Sequence, residues 1–503
     1  MRLLFASAEV FPLAKTGGLA DVSAALPLAL ADLGVDVQLV MPAYTEALDR
    51  AESKQAAIPL HGLPKIEDAS IIPARLPHSG LPIWLLDCPS LYHRKGGLYL
   101  DSDGRDWPDN ALRFSTLSQA VARLALGTTP ADSRTDIVHV NDWHLGLVPA
   151  LLAAEGGVRP PSVLTIHNLA FQGVFPAEVF PQLGLPPHWF TPDTLEFYGK
   201  LSMLKAGIRF ADHLTTVSPS YAQEILTPEF GCGLDGLLKA RADHLTGILN
   251  GIDYGLWLPE DPVAVPYPYD VRNLMGKRRC KAALQAEMGL AQDNEAPLIV
   301  FISRLTEQKM ADVLPSIMPM IEAQGAQLIV CGEGDATIQQ SLKVLETTYP
   351  QHFALRIGYE EPLARRILAG ADILAAPSRF EPCGLVQMYA MRYGTIPIVR
   401  NVGGLSDTVV RHEHGSVNAD ATGFMFDEPT AASLAGAIES ACLQYRKPVA
   451  WRAMQVRTMK QDFRWASSAQ RYLSLYTELL PAGDVRNVSD LAPESEPLLA
   501  TGS

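Results

Sequence analysis

The sequence predicts an α/β protein built from two tandem Rossmann-like domains that face a deep cleft. Short runs rich in Val, Ile and Leu alternate with helical patterns along most of the 503 residues, and runs without polar alternation are typical of parallel strands buried on both faces. A chain of this length is expected to form more than one hydrophobic core. A proline-rich segment near its middle, residues 250–269, lacks this periodicity and is the expected hinge.

The predicted strands form two groups, one on each side of this segment. In the first half they span residues 2–8, 35–41, 83–87, 137–141, 163–167 and 214–218. In the second half they span residues 298–303, 327–331, 355–359, 373–376 and 395–400. We therefore expect doubly wound sheets in residues 1–249 and 270–461, with ligands bound at the carboxyl ends of the strands.

The C-terminal part of the chain shows two different patterns. Residues 462–480 have the periodicity of an amphipathic helix, which we expect to return to the N-terminal domain. Residues 481–503 are rich in Pro, Glu, Asp and Ser. This composition is typical of disorder, and we predict a disordered tail.

The overall composition limits the possible partners and the compartment. The net charge of −14 disfavours nonspecific binding to nucleic acid or to anionic membranes, because both need a basic surface. Glu9 interrupts the short apolar run at the N-terminus, and no apolar run reaches membrane-spanning length. The six cysteines lack metal-ligand spacing. We therefore expect a cytoplasmic protein with reduced thiols and no metal site.

A glycine pair closely follows the first predicted strand. Gly17 and Gly18 allow a sharp turn and the close approach of a ligand to the backbone. Asp21 can cap the helix that follows, and Lys15 adds a positive charge. The N-terminus of that helix favours an anion. An ordinary turn between a strand and a helix has the same pattern, so this segment alone leaves both interpretations open.

Two basic residues follow the first predicted strand of the second half. Arg304 and Lys309 lie in the loop after residues 298–303, where a doubly wound sheet presents ligand-binding side chains. Fixed cations at such a position can stabilise negative charge that develops on a bound ligand. Arg grips phosphate with two hydrogen bonds and Lys acts as a point charge. Two basic residues at this spacing are also common on a solvated surface.

Taken together, the motifs resemble those of the bacterial glycogen synthases and plant starch synthases. The resemblance rests on ordered motifs at residues 15–22, 139–144, 165–173, 204–207, 217–219, 249–253, 303–309, 377–385 and 403–408. It implies the GT-B glycosyltransferase fold and transfer of glucose from ADP-glucose to glycogen or another α-1,4-glucan, with retention of configuration. It also implies that the N-terminal domain holds the acceptor and the C-terminal domain most of the donor, with no cofactor and no metal.

The resemblance further implies roles for individual residues. It assigns catalysis to His167, Arg304, Lys309, Glu381 and Asp142. It assigns contacts with ADP-glucose to Lys15, Gly17, Gly18, Asp21, Asn168, Cys383, Gly384 and Leu385, and a contact on the acceptor or sugar side to Tyr99. Arg304 and Lys309 would stabilise the diphosphate. Glu381 would contact the transferred glucose, and His167 would stabilise positive charge at the anomeric carbon.

Three positions differ from what relatives carry. Tyr389 stands where many related retaining glycosyltransferases carry a second glutamate. Asn141 stands where bacterial relatives often carry His or a small residue, and we expect no consequence of this difference. Met310 stands where the family has Gly. If this position needs a positive φ, Met is unfavourable there, and we expect slightly weaker binding of the donor.

Three other functions share some of these features. Another GT-B retaining glycosyltransferase, using a UDP-sugar, would keep Arg304, Lys309 and Glu381 but would lack the N-terminal glycine motif. A nicotinamide-dependent dehydrogenase needs a third glycine, which the segment from Gly332 to Gly334 does not provide. A non-catalytic glucan-binding protein has no need of donor-site cations. A small residue that shapes a loop is the favoured interpretation of Cys383, rather than a nucleophile.

Overall fold

The structure, a computed structural model, describes residues 1–129, 135–413 and 420–480. The predicted tail, residues 481–503, lies outside the described residues. Two α/β units follow one another along the chain, each with its own sheet, so the predicted pair of Rossmann-like domains is confirmed. Within the described ranges, no helix is long and apolar enough to cross a membrane.

The sheet of the N-terminal half is parallel at its centre. Its strands are β1 (Arg2–Ala6), β2 (Asp36–Pro42), β3 (Ile58–Pro59), β4 (Ser70–Arg75), β5 (Pro82–Asp87), β6 (Ile137–Asn141), β7 (Ser162–Ile166), β11 (His213–Thr216) and β12 (Leu245–Gly247), whereas β8 (Val174–Pro176), β9 (Glu196–Phe197) and β10 (Lys200–Ser202) form a small antiparallel sheet. The order across the main sheet is β12-β11-β7-β6-β1-β2-β5-β4-β3. Strand β4 runs antiparallel to both of its neighbours. Strands β6 and β7 are buried along their whole length, as expected of central parallel strands.

The helices of this half are mostly short, and two of them begin at a serine that caps the helix. The helices are α1 (Gly18–Asp32), α2 (Thr45–Arg50), α3 (Pro89–Tyr92), α4 (Asn110–Ala125), α5 (Leu147–Ala154), α6 (Met203–Phe210), α7 (Pro219–Glu224) and α8 (Asp235–Ala240). The Ser202 and Ser218 hydroxyls accept hydrogen bonds from the third following backbone nitrogen and so cap α6 and α7. Pro219, at the first position of α7, needs no hydrogen-bond partner for its nitrogen.

The sheet of the C-terminal half is parallel throughout. Its strands are β13 (Leu298–Ile302), β14 (Gln327–Gly332), β15 (Phe353–Ile357), β16 (Ile373–Ala376), β17 (Ile396–Arg400) and β18 (Phe424–Phe426), in the order β15-β14-β13-β16-β17-β18. The helices are α9 (Met275–Met288), α10 (Leu314–Ala323), α11 (Ala336–Thr348), α12 (Glu361–Gly370), α13 (Val386–Arg392), α14 (Gly403–Thr408), α15 (Ala431–Tyr445), α16 (Pro448–Met459) and α17 (Trp465–Leu479). Counted along the chain, this strand order is that of a dinucleotide-binding Rossmann sheet.

Helix α17 belongs spatially to the N-terminal half. It packs against α1, and the hydroxyl of its Tyr476 lies 2.6 Å from His139 Nδ1 on β6. The chain therefore crosses between the halves through residues 248–274 and again through residues 460–464. The two crossings contact each other, since the backbone nitrogen of Ile252 donates to the carbonyl of Phe463 at 2.7 Å.

Sequence periodicity located the buried strands within two residues at each end. Most of the strands that it missed are short, and most lie at an edge of a sheet or outside the two main sheets. The missed strands are β3, β4, β8, β9, β10, β12 and β18. An edge strand needs no continuous apolar run, because one of its sides is not covered by a neighbouring strand, so it leaves a weaker pattern.

Candidate active site

The predicted site residues lie where the strand order reverses in each sheet. Strand β1 lies between β2 and β6, and β13 lies between β14 and β16. Such reversals open a crevice at the carboxyl ends of the strands. The loops after β1 and β16 contact each other, because a β-carbon built on Gly18 would lie 3.7 Å from Leu385 Cδ1. The two crevices therefore open towards each other across the cleft.

The glycine loop after β1 differs in one respect from the prediction. Helix α1 begins at Gly18, Gly17 precedes it in an extended conformation, and no side chain caps the helix. The prediction that Asp21 caps this helix is therefore wrong, because Asp21 already lies within its first turn. Instead, Lys15 Nζ donates to Asp21 Oδ1 at 2.7 Å. Burial raises the pKa of Asp21, and the charge of Lys15 lowers it in part.

Glu9, a buried carboxylate, accepts hydrogen bonds from this loop. It accepts from the Thr16 backbone nitrogen at 2.6 Å, from the Thr16 hydroxyl at 2.5 Å and from the Tyr99 hydroxyl at 2.5 Å. The Tyr99 ring also stacks on His144, with ring centroids 4.8 Å apart, and burial raises the pKa of Tyr99 well above its usual value. The sequence analysis missed this role of Glu9, although an acidic residue in an apolar run was the available signal.

The loops after β6 and β7 bring Asp142, His167 and Asn168 together. Asp142 has a φ of 58°, and its Oδ1 accepts from the backbone nitrogen of His167 at 2.7 Å. Burial raises the pKa of Asp142 to about 7, and hydrogen bonds from the backbones of His167 and Asn168 limit the rise. Asn168 in turn accepts from the Ala170 nitrogen at 3.0 Å and shapes the turn that follows.

His167 is a neutral ring with a fixed neighbour. Burial lowers its pKa to about 3. Its Nε2 lies 2.9 Å from Asn141 Oδ1, and the amide nitrogen of Asn141 donates to the Ala6 carbonyl at 2.9 Å. Asn141 thus contacts a predicted catalytic residue. We expected no consequence of Asn at this position, and this contact was not predicted.

In the C-terminal half, the structure pairs two of the predicted catalytic residues. Lys309 Nζ forms a short ion pair with Glu381 Oε2, and the Ser378 hydroxyl donates to the same oxygen at 2.7 Å. Both partners of the ion pair are mostly buried. Arg304 is exposed, and its Nη2 lies 3.5 Å from Gln308 Oε1. The amide nitrogen of Gln308 donates to the Phe380 carbonyl at 3.2 Å, so the two loops are joined.

The segment from Cys383 to Leu385 is held by its surroundings. Burial raises the pKa of the Cys383 thiol to about 12, and hydrogen bonds with Asn250 lower it in part. A thiol with this pKa is a poor nucleophile, in agreement with the favoured interpretation of this residue. Gly384 has a φ of 71°, and a β-carbon there would lie 2.6 Å from Gln387 Oε1. A side chain at this position would be strained by the positive φ, and the Gln387 amide would have to move to make room for it.

Tyr389, which replaces the second glutamate of many related enzymes, packs against an aromatic side chain. Its ring stacks on Trp257, with centroids 3.8 Å apart and planes inclined by 12°. Trp257 belongs to the segment predicted as the hinge, so this contact joins the segment to α13.

The comparisons with known proteins agree with this geometry. Residues 2–240 match the starch synthase catalytic domain, and residues 287–454 match the glycosyl transferases group 1. A glycogen synthase of Thioalkalivibrio sulfidiphilus is 50% identical over 484 residues, which cover 95% of this chain and 100% of that protein. The chain belongs to the glycogen and starch synthase family.

Other members of the glycogen and starch synthase family are similar along the whole chain. A glycogen synthase of Burkholderia thailandensis is 50% identical over 482 residues, covering 95% of this chain and 90% of that protein. The catalytic domain of starch synthase IV from Arabidopsis thaliana, solved with ADP and acarbose bound, is 31% identical, has a TM-score of 0.84, and covers 95% of this chain and 99% of that chain. Membership of the family makes this chain a glycosyltransferase with a glycogen synthase function.

The fold extends to more distant enzymes. A sucrose-phosphate synthase from Thermosynechococcus elongatus is 18% identical, has a TM-score of 0.58, and covers 95% of this chain and 98% of that chain. At this identity the similarity concerns the fold alone. It confirms the GT-B architecture expected from the resemblance.

Proposed function

We propose that this chain transfers the glucosyl group of ADP-glucose to the non-reducing end of an α-1,4-glucan, with retention of configuration. The observation that carries the proposal is the Lys309–Glu381 pair at the switch point of the C-terminal sheet, on the other side of the cleft from the loops of His167 and Gly18. The Arabidopsis relative, which binds ADP and acarbose, supports both the adenine nucleotide and the glucan.

The leaving diphosphate needs positive charge, and three cations are proposed to supply it. Lys309 and Arg304 come from the loop after β13, and Lys15 comes from the opposite domain. Such fixed charges stabilise developing negative charge without reorganisation of solvent. The contact between Gly18 and Leu385 supports a donor pocket that both domains complete. Backbone nitrogens of Gly384 and Leu385 are proposed as further donors to the phosphate oxygens.

Two groups are proposed to surround the anomeric carbon. The hydrogen bonds from Lys309 and Ser378 both go to Oε2 of Glu381, so its Oε1 can accept from a hydroxyl of the transferred glucose. Positive charge develops on the anomeric carbon in the transition state. His167 is neutral because burial lowers its pKa to about 3. A neutral ring avoids repelling that positive charge, whereas an imidazolium would oppose it.

The proposed reaction is a displacement on one face of the sugar. The bond from the anomeric carbon to the phosphate oxygen breaks, and a bond from the same carbon to the acceptor 4-oxygen forms. The proton of the acceptor hydroxyl passes to the leaving phosphate. Cys383 does not offer a covalent alternative, because burial raises the pKa of its thiol to about 12.

Tyr99 and Asp142 are proposed to support the site through their neighbours. The Tyr99 hydroxyl is engaged by Glu9, which also holds Thr16 of the glycine loop. The Asp142 carboxylate is engaged by the backbone of the turn that carries His167. These bonds favour a positioning role for both residues, in place of the catalytic role that the resemblance implies for Asp142 and the acceptor- or sugar-side contact that it implies for Tyr99.

The test is an assay of purified protein with glycogen and either ADP-glucose or UDP-glucose. We expect release of ADP that depends on glycogen, and slower release of UDP. We expect K309A and E381Q to lower kcat by about a hundredfold or more, since each removes charge or hydrogen bonding at the reacting centre. K343A, an exposed lysine of the same domain, is the matched control and should behave as wild type. Absence of transfer from both donors would contradict the proposal.

A further inference from the structure

Asn141, the last residue of β6, bridges two strands of the N-terminal sheet and the candidate site. Its side chain is fully buried. Its Nδ2 donates to the carbonyl of Ala6 on β1, and its Oδ1 lies 2.9 Å from His167 Nε2. Because the Ala6 carbonyl can only accept, the amide nitrogen must face it and the amide oxygen must face His167. An amide oxygen also only accepts, so His167 Nε2 carries the hydrogen of this bond.

The state of the second ring nitrogen follows from the first. A neutral imidazole with its hydrogen on Nε2 has none on Nδ1, which can then accept a hydrogen bond but cannot donate one. We propose that Asn141 is a positioning residue that holds His167 in this one tautomer, with Nδ1 as the acceptor for a hydroxyl group of the transferred sugar. The inference rests on the proposed function, because that function assigns the sugar contact to His167.

The titratable groups around the ring have different effects. His139 and His144 interact with His167, and burial lowers the pKa of each to about 3, so both are neutral near neutral pH. Asp142 accepts from the backbone of His167, and burial raises its pKa to about 7, with a smaller contribution from Glu9. Since Asp142 titrates where activity is measured, a pH–rate profile alone does not isolate His167. The test therefore observes the ring itself.

Nitrogen NMR of histidine-labelled protein reports the tautomer without any substrate, and loss of a signal in H167Q identifies His167. We expect a protonated Nε2 and an unprotonated Nδ1 in wild type, unchanged down to pH 5. In N141D, a carboxylate beside the ring should raise the pKa of His167 by about 1–3 units. In N141A, the bond is lost and both tautomers should be present. Hydrogen on Nδ1 in wild type, or a pKa of His167 that N141D leaves unchanged, would overturn the inference.

Kinetics then separate positioning from general stability. N141A should lower kcat by about tenfold to a hundredfold, with KM for ADP-glucose within about twofold of wild type. The matched control is T215V, which removes a buried hydroxyl on β11 that lies 2.6 Å from Thr165 Oγ1. It should lower thermal stability and leave kcat and the His167 spectrum unchanged. An equal loss of kcat in T215V would overturn the positioning role.

Absence of transfer by wild type would contradict the proposed function instead, and the NMR result would still decide the tautomer. If N141D does not fold, the wild-type and N141A spectra decide it.

Discussion

Met310 combines an unfavourable backbone conformation with a favourable side-chain position. Its φ of 56° and ψ of 29° lie in the left-handed region, which costs a residue other than glycine about 1–2 kcal/mol. Its side chain is fully buried in the core of the C-terminal domain, together with Leu314 and Ile317. Truncation of a buried Met costs about 2–5 kcal/mol, so burial outweighs the strain. The position does need a positive φ, and the core makes Met acceptable there.

Substitution of Met310 separates these two effects. M310A loses the buried side chain but keeps the strained β-carbon, whereas M310G loses the side chain and relieves the strain. We expect both to unfold at lower temperature than wild type, with M310A less stable than M310G by about 1 kcal/mol. M310L keeps the burial and should lie close to wild type. Equal stability of M310A and M310G would show that the strain is negligible. KM for ADP-glucose in M310G tests the expected weakening of donor binding.

Asp142 should make stability depend on pH. Burial raises its pKa from 3.8 to about 7, so between these values the folded protein binds a proton that the unfolded chain does not. The contribution of this group is therefore fully present below about pH 4 and is lost as the pH rises through about 7. D142N keeps an oxygen for the His167 nitrogen and removes the titration. We expect the Tm of wild type, relative to that of D142N, to fall between pH 4 and pH 8; a constant difference would contradict this.

Among the elements, α7 and α14 join the two domains beside the donor loop. The Gly403 nitrogen donates to Glu224 Oε1 at 2.7 Å, and the Ser220 nitrogen and hydroxyl donate to Asp407 at 2.9 and 2.7 Å. A β-carbon on Gly403 would lie 2.0 Å from the carbonyl oxygen of Glu381. The start of α14 therefore packs directly on the loop that carries Glu381, and the bond to Glu224 links that loop to the other domain.

Loss of the Glu224 bond should loosen the donor site. We expect E224A to raise KM for ADP-glucose by about tenfold, the magnitude of one hydrogen bond to a charged group. We also expect a larger radius of gyration in small-angle scattering, because the domains separate more readily. E224Q keeps an oxygen that accepts from Gly403 and should stay close to wild type. The same KM in E224A and E224Q would argue against this contact as a link between the domains.

How much of this site the sequence predicts depends on how far apart in the sequence the interacting residues lie. Periodicity located the strands and placed Lys309 in the loop after one of them, whereas the role of Glu381, 72 residues further along the chain, was predicted only from the family resemblance. The role of Glu9 was not predicted, because its partner Tyr99 is 90 residues away and no local pattern joins them. The bond between Asn141 and His167 depends on the register of β6 against β7. Local pattern does not specify such contacts, whereas tertiary packing does.

For the molecule as a whole, α17 is a structural part of the domain that begins the chain. Its Tyr476 hydroxyl lies 2.6 Å from His139 Nδ1, and the other ring nitrogen of His139 lies 2.6 Å from Thr165 Oγ1. This buried network has a hydrogen-bonding partner for each ring nitrogen, and loss of one partner leaves a buried polar atom unsatisfied.

Removal of the Tyr476 hydroxyl should therefore destabilise the N-terminal domain. We expect Y476F to lower its stability by about 1–3 kcal/mol and to leave kcat unchanged, as measured by differential scanning calorimetry and the glycogen assay. Y445F is the matched control in the other domain, where the Tyr445 hydroxyl accepts from Lys281 Nζ at 2.9 Å, and it should shift the C-terminal transition instead. A shift of the same transition by both variants would contradict this assignment.

The return of α17 has a consequence for biosynthesis. The N-terminus is synthesised first, but the face of the N-terminal domain that contacts Tyr472 and Tyr476 remains uncovered until α17 has been translated. The nascent first domain must therefore carry an exposed apolar surface while the entire second domain is being made. Among the described residues, α17 is the last helix of the chain and it packs on the first domain, so a chain that ends after residue 461 lacks a helix of its N-terminal domain.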